Sequence, residues 1–189
     1  SVRIGAYDRC FAGRIPGVEA MSGRLAFAVP GPITRLTGGT IYDRRVVEAL
    51  RKRGLDVTLI ELPSSFPNPN PSEMRNALAQ LSAVGEGYPL VVDGLAFGAL
   101  DTESVSELGA TLLPLVHHPL AEESGLEPSQ REHFLQTERR NLEFAHKVLV
   151  PSPHTASLLV ERYGVDAGAI VVARPGTDRP TKGPNDVEG

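Results

Sequence analysis

Cysteine is almost absent from this chain of 189 residues, which contains only Cys10. A single cysteine cannot close an intrachain disulfide or complete a cysteine-rich zinc site, so neither is expected to stabilise the fold. This usage is typical of a reducing compartment, and the cytoplasm is the expected location. The chain also lacks an apolar run approaching the roughly 20 residues of a membrane-spanning helix, and it lacks a signal-peptide pattern at its start.

Positive charge is not in excess either. The chain carries 19 Lys and Arg against 23 Asp and Glu, which gives a net charge of -4 at pH 7. No overall basic field attracts phosphate backbones, so nucleic acid is not an expected partner. Contact with a membrane surface stays open, because one predicted helix carries a small basic patch that could touch anionic lipid. The patch consists of Arg44, Arg45, Arg51, Lys52 and Arg53.

The hydrophobic content of 41% is enough to fill the core of one domain. Short runs rich in Val, Ile and Leu recur along the chain, and continuous runs of this length are typical of strands buried on both faces. The predicted strands cover residues 25–30, 56–62, 89–94, 111–116, 147–152 and 169–175.

Amphipathic segments separate these runs. After Gly39, apolar residues repeat with a helical period from Tyr42 to Leu50, and the pattern stops at Gly54. Further helices are predicted over residues 71–84, 128–146 and 153–163. The alternation predicts an α/β fold, namely a Rossmann-like, doubly wound parallel sheet with helices on both faces.

Ligands of such folds bind beyond the carboxyl ends of the strands, a rule that selects the loops over residues 31–39, 93–98, 117–125 and 152–155. In the first loop, Gly38 and Gly39 precede a helix and would let a ligand approach its N-terminus. The loop has neither the G-x-G-x-x-G spacing of a dinucleotide site nor the Gly-Lys-Ser/Thr of a P-loop. A plain turn that starts a helix explains the two glycines equally well.

Asp93 ends a predicted strand in the second loop, directly before Gly94. It could hold a ligand hydroxyl or cap the following turn, and capping is the commoner use of Asp before Gly. Arg45 lies close enough to the glycine pair to reach an anionic ligand, although a solvated helix face accounts for it as well.

Two neighbouring histidines, His117 and His118, follow the fourth predicted strand in the stretch LVHHPLAEE. Adjacent side chains of an extended segment point to opposite faces, so the pair is not expected to bind one metal ion, and no metal site is predicted. One histidine should face the ligand cleft and the other the protein. Pro119 can begin a helical turn, and Glu122 and Glu123 would then lie near its positive end.

Five stretches, taken in order, resemble the N-terminal domain of the family 4 retaining glycosyltransferases, which have the GT-B architecture. They are LTGGTIYDRRVVEALRKRGLDVTLIEL, LVVDGLA, LVHHPLAEESGL, ERRNLEFAHKVLVPSPHTASLLVERYGV and IVVARPGTD. Each motif is weak by itself, and their order and spacing over residues 25–178 carry the resemblance.

The resemblance implies a retaining hexosyltransferase with two Rossmann-like domains across a cleft, in which this domain mainly binds the acceptor and the second binds the nucleotide-sugar donor. His117 would then be the catalytic residue, which approaches and orients the donor sugar. Many members of the family have histidine where this chain has Asp93. The expected donor or acceptor contacts are Gly38, Gly39, Tyr42, Arg45, Asp93 and His118.

We interpret residues 1–21 as an N-terminal appendage, with an ordered N-terminal strand as the alternative, residues 22–178 as the domain, and residues 179–189 as a linker remnant. Without the donor domain, the chain alone is expected to be inactive. The expected partners are that donor domain and a sugar or small-molecule acceptor, and no cofactor is expected in this chain beyond the nucleotide-sugar donor of the complete enzyme. Two other hypotheses stay open: a stand-alone binding module or subunit that pairs with a separate donor domain, and an unrelated nucleotide- or flavin-binding domain.

Overall fold

Six parallel strands form one sheet in the order β2-β1-β3-β4-β5-β6, with helices on both faces. The structure, a computed structural model, describes residues 23–175. It has the Rossmann-like, doubly wound α/β fold that the alternation predicts. The predictions for residues 1–21, for Cys10 and for residues 179–189 lie outside the described residues.

The strands lie close to their predicted positions, with ends that differ by a few residues. They are β1 (Arg24–Pro30), β2 (Asp56–Leu62), β3 (Pro89–Asp93), β4 (Thr111–Leu115), β5 (Val148–Val150) and β6 (Ile170–Val172). The helices are α1 (Gly38–Lys52), α2 (Pro71–Ser82), α3 (Gly94–Phe97), α4 (Thr102–Ser106), α5 (Pro128–Leu142) and α6 (Pro153–Tyr163). None of these helices has the length and apolar character needed to cross a bilayer.

Helix α6 shows how local signals set the bounds of an element. Ser152 caps its start, because the Ser152 hydroxyl accepts a hydrogen bond from the Thr155 N–H at 3.1 Å. Gly164 ends it in a left-handed conformation with a φ of 72°. Both signals are local, and the predicted bounds of this helix are therefore confirmed.

Helix α5 is shorter than its predicted span of residues 128–146, since it ends at Leu142. The His146 N–H donates to the Leu112 carbonyl at 2.9 Å, so the chain has already joined the sheet beside β4. Pairing with the sheet satisfies this backbone group in place of a further helical turn. The short helices α3 and α4 lie in a segment where no helix is predicted.

The sheet separates two apolar cores. Val91 and Val92, neighbours on β3, point to opposite faces, as the pleat of a strand requires. On one face Val91 belongs to a cluster with Phe27 and with Val46 of α1. On the other face Val92 packs in a cluster that includes Leu159 of α6 and residues of the remaining helices. Burial on both sides explains why the strands are continuous apolar runs.

Asn141 of α5 forms hydrogen bonds with the segment that connects β3 and β4. Its side chain is 0% exposed, and its amide donates to the Phe97 carbonyl at 2.8 Å and to the Leu100 carbonyl at 2.9 Å. The Thr102 hydroxyl donates to the Asn141 Oδ1 at 2.7 Å. One buried side chain thus satisfies two carbonyls at the end of α3 and fixes the start of α4.

We expect Asn141→Ala to lower the free energy of unfolding by about 2–4 kcal/mol, because two buried carbonyls lose their donor. Chemical denaturation monitored by circular dichroism measures this loss. Asn76→Ala is the control, since Asn76 is an exposed helical residue whose side chain accepts a hydrogen bond from Gln80, and it should change stability by less than about 0.5 kcal/mol. Equal losses in the two variants would contradict the role of Asn141.

Candidate functional site

A cavity of about 370 Å³ opens at the carboxyl ends of β1, β3 and β4. The strand order reverses between β1 and β3, so the cavity lies at the switch point where open α/β sheets bind ligands. Three of the four predicted loops line it, namely residues 31–39, 93–98 and 117–125. The fourth, residues 152–155, contributes no lining residue and lies behind the third, where the Thr155 hydroxyl is 3.5 Å from the His117 carbonyl oxygen.

The structure brings together only some of the predicted site residues. Gly39, Asp93, His117 and His118 line the cavity. The other three predicted residues, Gly38, Tyr42 and Arg45, do not line it.

Asp43 joins this set, although its sequence position had not marked it as a site residue. It is 1% exposed on the inner side of α1, and its Oδ1 lies 2.8 Å from the His117 Nε2. A sequence signal did exist, because Asp43 precedes Val46 by three residues and Val47 by four and so falls on the apolar stripe of α1. A carboxyl on such a stripe needs a buried partner, and His117 is that partner.

Asp93 caps the following turn, which is one of the two functions considered for it, and its contact with a ligand hydroxyl stays a prediction. Its Oδ1 accepts a hydrogen bond from the Leu95 N–H at 2.7 Å and thereby caps α3. Its Oδ2 lies 3.6 Å from the His117 Nε2, and its side chain lines the cavity. The cap fixes the carboxyl at the end of β3, so the second oxygen is held toward the histidine.

Tyr42 lies behind His117 and does not contact the cavity. Its ring meets the imidazole edge to face, with centroids 5.0 Å apart and planes at 81°. Its hydroxyl donates to the Ala173 carbonyl at 2.6 Å, next to the end of β6. Tyr42 therefore supports the histidine, and Gly39 leaves room on another side, where a Cβ would lie 3.4 Å from the His117 Cδ2.

The two histidines differ from the predicted arrangement. Opposite faces were expected, yet both His117 and His118 line the cavity. The chain leaves β4 at Leu115 and turns at Pro119, so the alternation of an extended strand no longer applies to the pair. His117 is turned inward to the carboxyls, whereas His118 is exposed.

The loop after His118 forms a single 3-10 turn, Leu120–Glu122, which begins after Pro119. The two glutamates separate there, because Glu122 forms an ion pair with Arg162 of α6 and Glu123 lines the cavity. The ion pair gives Glu122 a partner besides the N-terminal dipole that was expected to stabilise it.

Side chains of helix α5 form hydrogen bonds with the loop that follows His118. Glu138 is 0% exposed, and its Oε2 accepts a hydrogen bond from the Leu120 N–H at 2.9 Å. Arg131 donates to the Ala121 carbonyl and, at 3.2 Å, to the Glu123 carbonyl. The loop that carries His117 and His118 is thus anchored through its backbone to α5.

Burial controls the ionisation of the central cluster. It raises the pKa of Asp43 to about 7, although the hydrogen bond with Asp93 acts in the opposite direction. Burial, and after it the charge of Asp43, hold the pKa of Asp93 well above its usual range. Burial lowers the pKa of His117, against the attraction of Asp93. Burial therefore favours the neutral imidazole of His117 and the protonated form of Asp93.

The same three side chains offer one ligand atom each, and these atoms lie within 4.8 Å of one another. Two carboxylates and one imidazole suit Zn²⁺ or Mn²⁺. The hydrogen bonds among Asp43, Asp93 and His117 account for the convergence without an ion. The expectation that the site holds no metal remains a prediction.

No protein-family model matches the chain, and neither does any curated protein. The resemblance to family 4 glycosyltransferases therefore remains an inference from the sequence motifs.

We expect Gly94→Ala to destabilise the fold by roughly 1–3 kcal/mol, because the added Cβ would meet the Val116 Cα at 2.9 Å and the Leu115 carbonyl oxygen at 3.0 Å. Both atoms belong to backbone at the end of β4, so β3 and β4 must separate beside Asp93. Thermal unfolding measures the loss. Gly38→Ala, at which a Cβ meets nothing within 4 Å, is the matched control and should leave stability equal or slightly higher.

We also expect stability to fall as pH rises, in part because of Glu138. Burial raises the pKa of Glu138 from the ordinary 4.5 to about 8. Between these values the folded state retains a proton that the unfolded state has lost, so the free energy of unfolding declines as pH rises from 4.5 to 8. In Glu138→Gln, the free energy of unfolding should decline less over this pH range, by on the order of a few kcal/mol. Denaturation curves recorded at several pH values measure this decline.

Glu132→Gln makes the same chemical change on the exposed side of α5 and should retain the wild-type slope. If Glu138→Gln also retained that slope, Glu138 would have to be ionised in the folded protein.

Proposed function

We propose that this chain is the acceptor-side domain of a retaining glycosyltransferase that transfers a hexose from a nucleotide-sugar donor. The observation that carries the proposal is the convergence of Gly39, Asp93, His117 and His118 around one cavity. The family resemblance selects these residues from three separate loops.

The chemistry of the cavity suits a neutral ligand rich in hydroxyl groups. Its inner wall presents the Asp43 and Asp93 carboxyls and the His117 imidazole, which exchange hydrogen bonds with hydroxyls at short range. A phosphate at the same position would approach carboxyl groups and would be repelled once they ionise. This favours a sugar over a nucleotide at the inner wall.

The rim of the cavity has the opposite character. Arg35 lines it, and Gly39 and Thr40 belong to the first turn of α1, whose N-terminus carries a partial positive charge. A donor diphosphate could lie against this rim while its sugar reaches His117. In the proposed enzyme a second Rossmann-like domain binds the nucleotide and supplies the other wall of the cleft.

Catalysis at such a site depends on positioning and electrostatics. Sugar transfer breaks the bond between C1 and the diphosphate oxygen and forms a bond from C1 to the acceptor oxygen, whose proton passes to the departing diphosphate. We assign His117 the task of orienting the sugar, and the second domain the stabilisation of the departing diphosphate.

Ligand-observed NMR on the purified chain tests the binding part of the proposal. The probes are glucose, mannose, UDP-glucose, GDP-mannose, FMN and NAD. We expect saturation transfer to the hexose protons, and a loss of affinity of about tenfold or more in His117→Ala. His133→Ala is the control, because His133 is exposed on α5 outside the cavity lining, and it should bind as the wild type does.

Tight binding of FMN or NAD without any hexose contact would favour an unrelated nucleotide-binding domain instead. An absence of saturation transfer to every sugar probe would also contradict the proposal.

Incubation of the purified chain with the two nucleotide sugars and a panel of acceptors tests the assignment to the acceptor side. We expect no transfer by this chain alone, because the diphosphate site belongs to the second domain in our proposal. Sugar transfer detected by mass spectrometry in this reaction would show that the assignment is wrong.

A further inference from the structure

The His117 imidazole is surrounded by Asp43, Asp93, Tyr42 and Gly39, and Asp43 is the member of this set that the family resemblance does not name. Its Nε2 lies 2.8 Å from the Asp43 Oδ1 and 3.6 Å from the Asp93 Oδ2. The Tyr42 ring packs against the imidazole. Gly39 has no side chain, so the backbone of α1 can lie close to the imidazole at that position. With Nε2 turned toward the carboxyls, Nδ1 is the nitrogen left for another partner, and among residues 23–175 no hydrogen bond engages it.

The contact between the Asp43 and Asp93 carboxyls determines how many protons this cluster holds. Asp43 and Asp93 are hydrogen bonded to each other, and neither pairs with an arginine or lysine among residues 23–175. Two buried carboxylates in contact cannot both ionise at low cost, so one retains a proton that lies between them. The His117 Nε2 lies 2.8 Å from the Asp43 Oδ1 but 3.6 Å from the Asp93 Oδ2, so Asp43 is the acceptor for the imidazole, and we place the shared proton on Asp93.

Asp43 is then the carboxylate of the cluster, and it accepts from Asp93 on one side and from His117 on the other. A carboxylate beside a neutral imidazole selects the tautomer whose proton points toward it. The proton of the imidazole is thus placed on Nε2.

We propose that Asp43 is a positioning residue that holds His117 as the Nε2–H tautomer, so that the Nδ1 lone pair accepts a hydrogen bond from a hydroxyl of the bound sugar. The tautomer concerns this chain alone, whereas the sugar contact rests on the proposed function. The contact also sets specificity, because a sugar that lacks this hydroxyl leaves the lone pair without a donor. An anionic group at the same place would meet a lone pair and a carboxylate and would be excluded.

Other titratable or charged groups lie near His117, and their charges act on it together with those of Asp43 and Asp93. Tyr42 of α1 contacts the imidazole ring, and the remaining groups line the cavity. They are Arg35, His118 and Glu123.

Long-range ¹H–¹⁵N NMR of protein labelled at its five histidines reads the tautomer directly. His117→Gln assigns the His117 signals, and EDTA keeps the cluster free of metal ions. At pH 7 we expect the wild type to show a protonated Nε2 and an unprotonated Nδ1. A protonated Nδ1 in the wild type would overturn the proposal, because Asp43 would then be the acid that donates to Nε2.

Two isosteric variants separate the functions of the two carboxyls. Asp93→Asn replaces a protonated carboxyl by an amide that still donates to Asp43 and still accepts from Leu95, so the Nε2–H tautomer should persist. Asp43→Asn replaces the carboxylate by a group that can donate to Nε2, so the population should shift to the Nδ1–H tautomer. The reverse pattern, or no shift in Asp43→Asn, would refute the assignment of Asp43.

Glu48→Gln, an acid-to-amide change on the exposed side of α1, controls for the loss of charge and should leave the tautomer unchanged. Amide spectra of each variant establish that it folds. If Asp43→Asn does not fold, the wild-type tautomer and Asp93→Asn still decide the question.

Sugar titrations of the same samples test the contact at Nδ1. We expect Asp43→Asn to weaken hexose binding by about tenfold and Glu48→Gln, outside the cavity lining, to leave it unchanged. If the tautomers behave as expected while the wild type binds no sugar, the positioning by Asp43 stands and the proposed function fails. If the wild type binds sugar and Asp43→Asn binds it equally well despite a changed tautomer, the contact at Nδ1 is wrong.

Discussion

All described strands of the sheet run in one direction, and the rest of the structure depends on this constraint. Parallel strands end at a common edge, so the loops that follow β1, β3 and β4 meet there. Asp43 and His117, which are 74 positions apart, come within hydrogen-bond distance for this reason. Two apolar cores, one on each face, hold the strands in place and make the edge a rigid support for the site.

The site contains polar groups that the core does not favour. Asp43, Asp93 and Glu138 are all buried, and burial raises the pKa of each above its usual range. These groups weaken the fold as pH rises, yet each fixes part of the site. Asp43 orients His117, Asp93 caps α3, and Glu138 holds the backbone of the loop that follows His118. Stability and the geometry of the cavity are therefore coupled through the same side chains.

Two of these buried side chains, Asp43 and Asp93, line the cavity, so they also bear on the ligand that we propose for it. Burial favours the neutral forms of Asp93 and His117, so the inner wall offers hydrogen-bond donors and acceptors. Ligand hydroxyls provide partners for both. Arg35 and Gly39, the latter at the N-terminus of α1, line the same cavity, and in the proposed function the diphosphate lies beside them while the sugar lies at the inner wall.

The sequence by itself determined the class of the fold, because the periods of strand and helix are local properties; β2 and α6 have their predicted bounds. It also selected three of the loops that form the cavity, since parallel strands end at one edge. Only the tertiary structure decided which side chains meet. Asp43 carries a local signal, yet its partner His117 lies in the loop after β4. Tyr42 and Arg45 lie outside the cavity lining. Glu138 resembles any helical glutamate until packing removes it from water. Burial and pairing depend on contacts between distant segments, which no local pattern encodes.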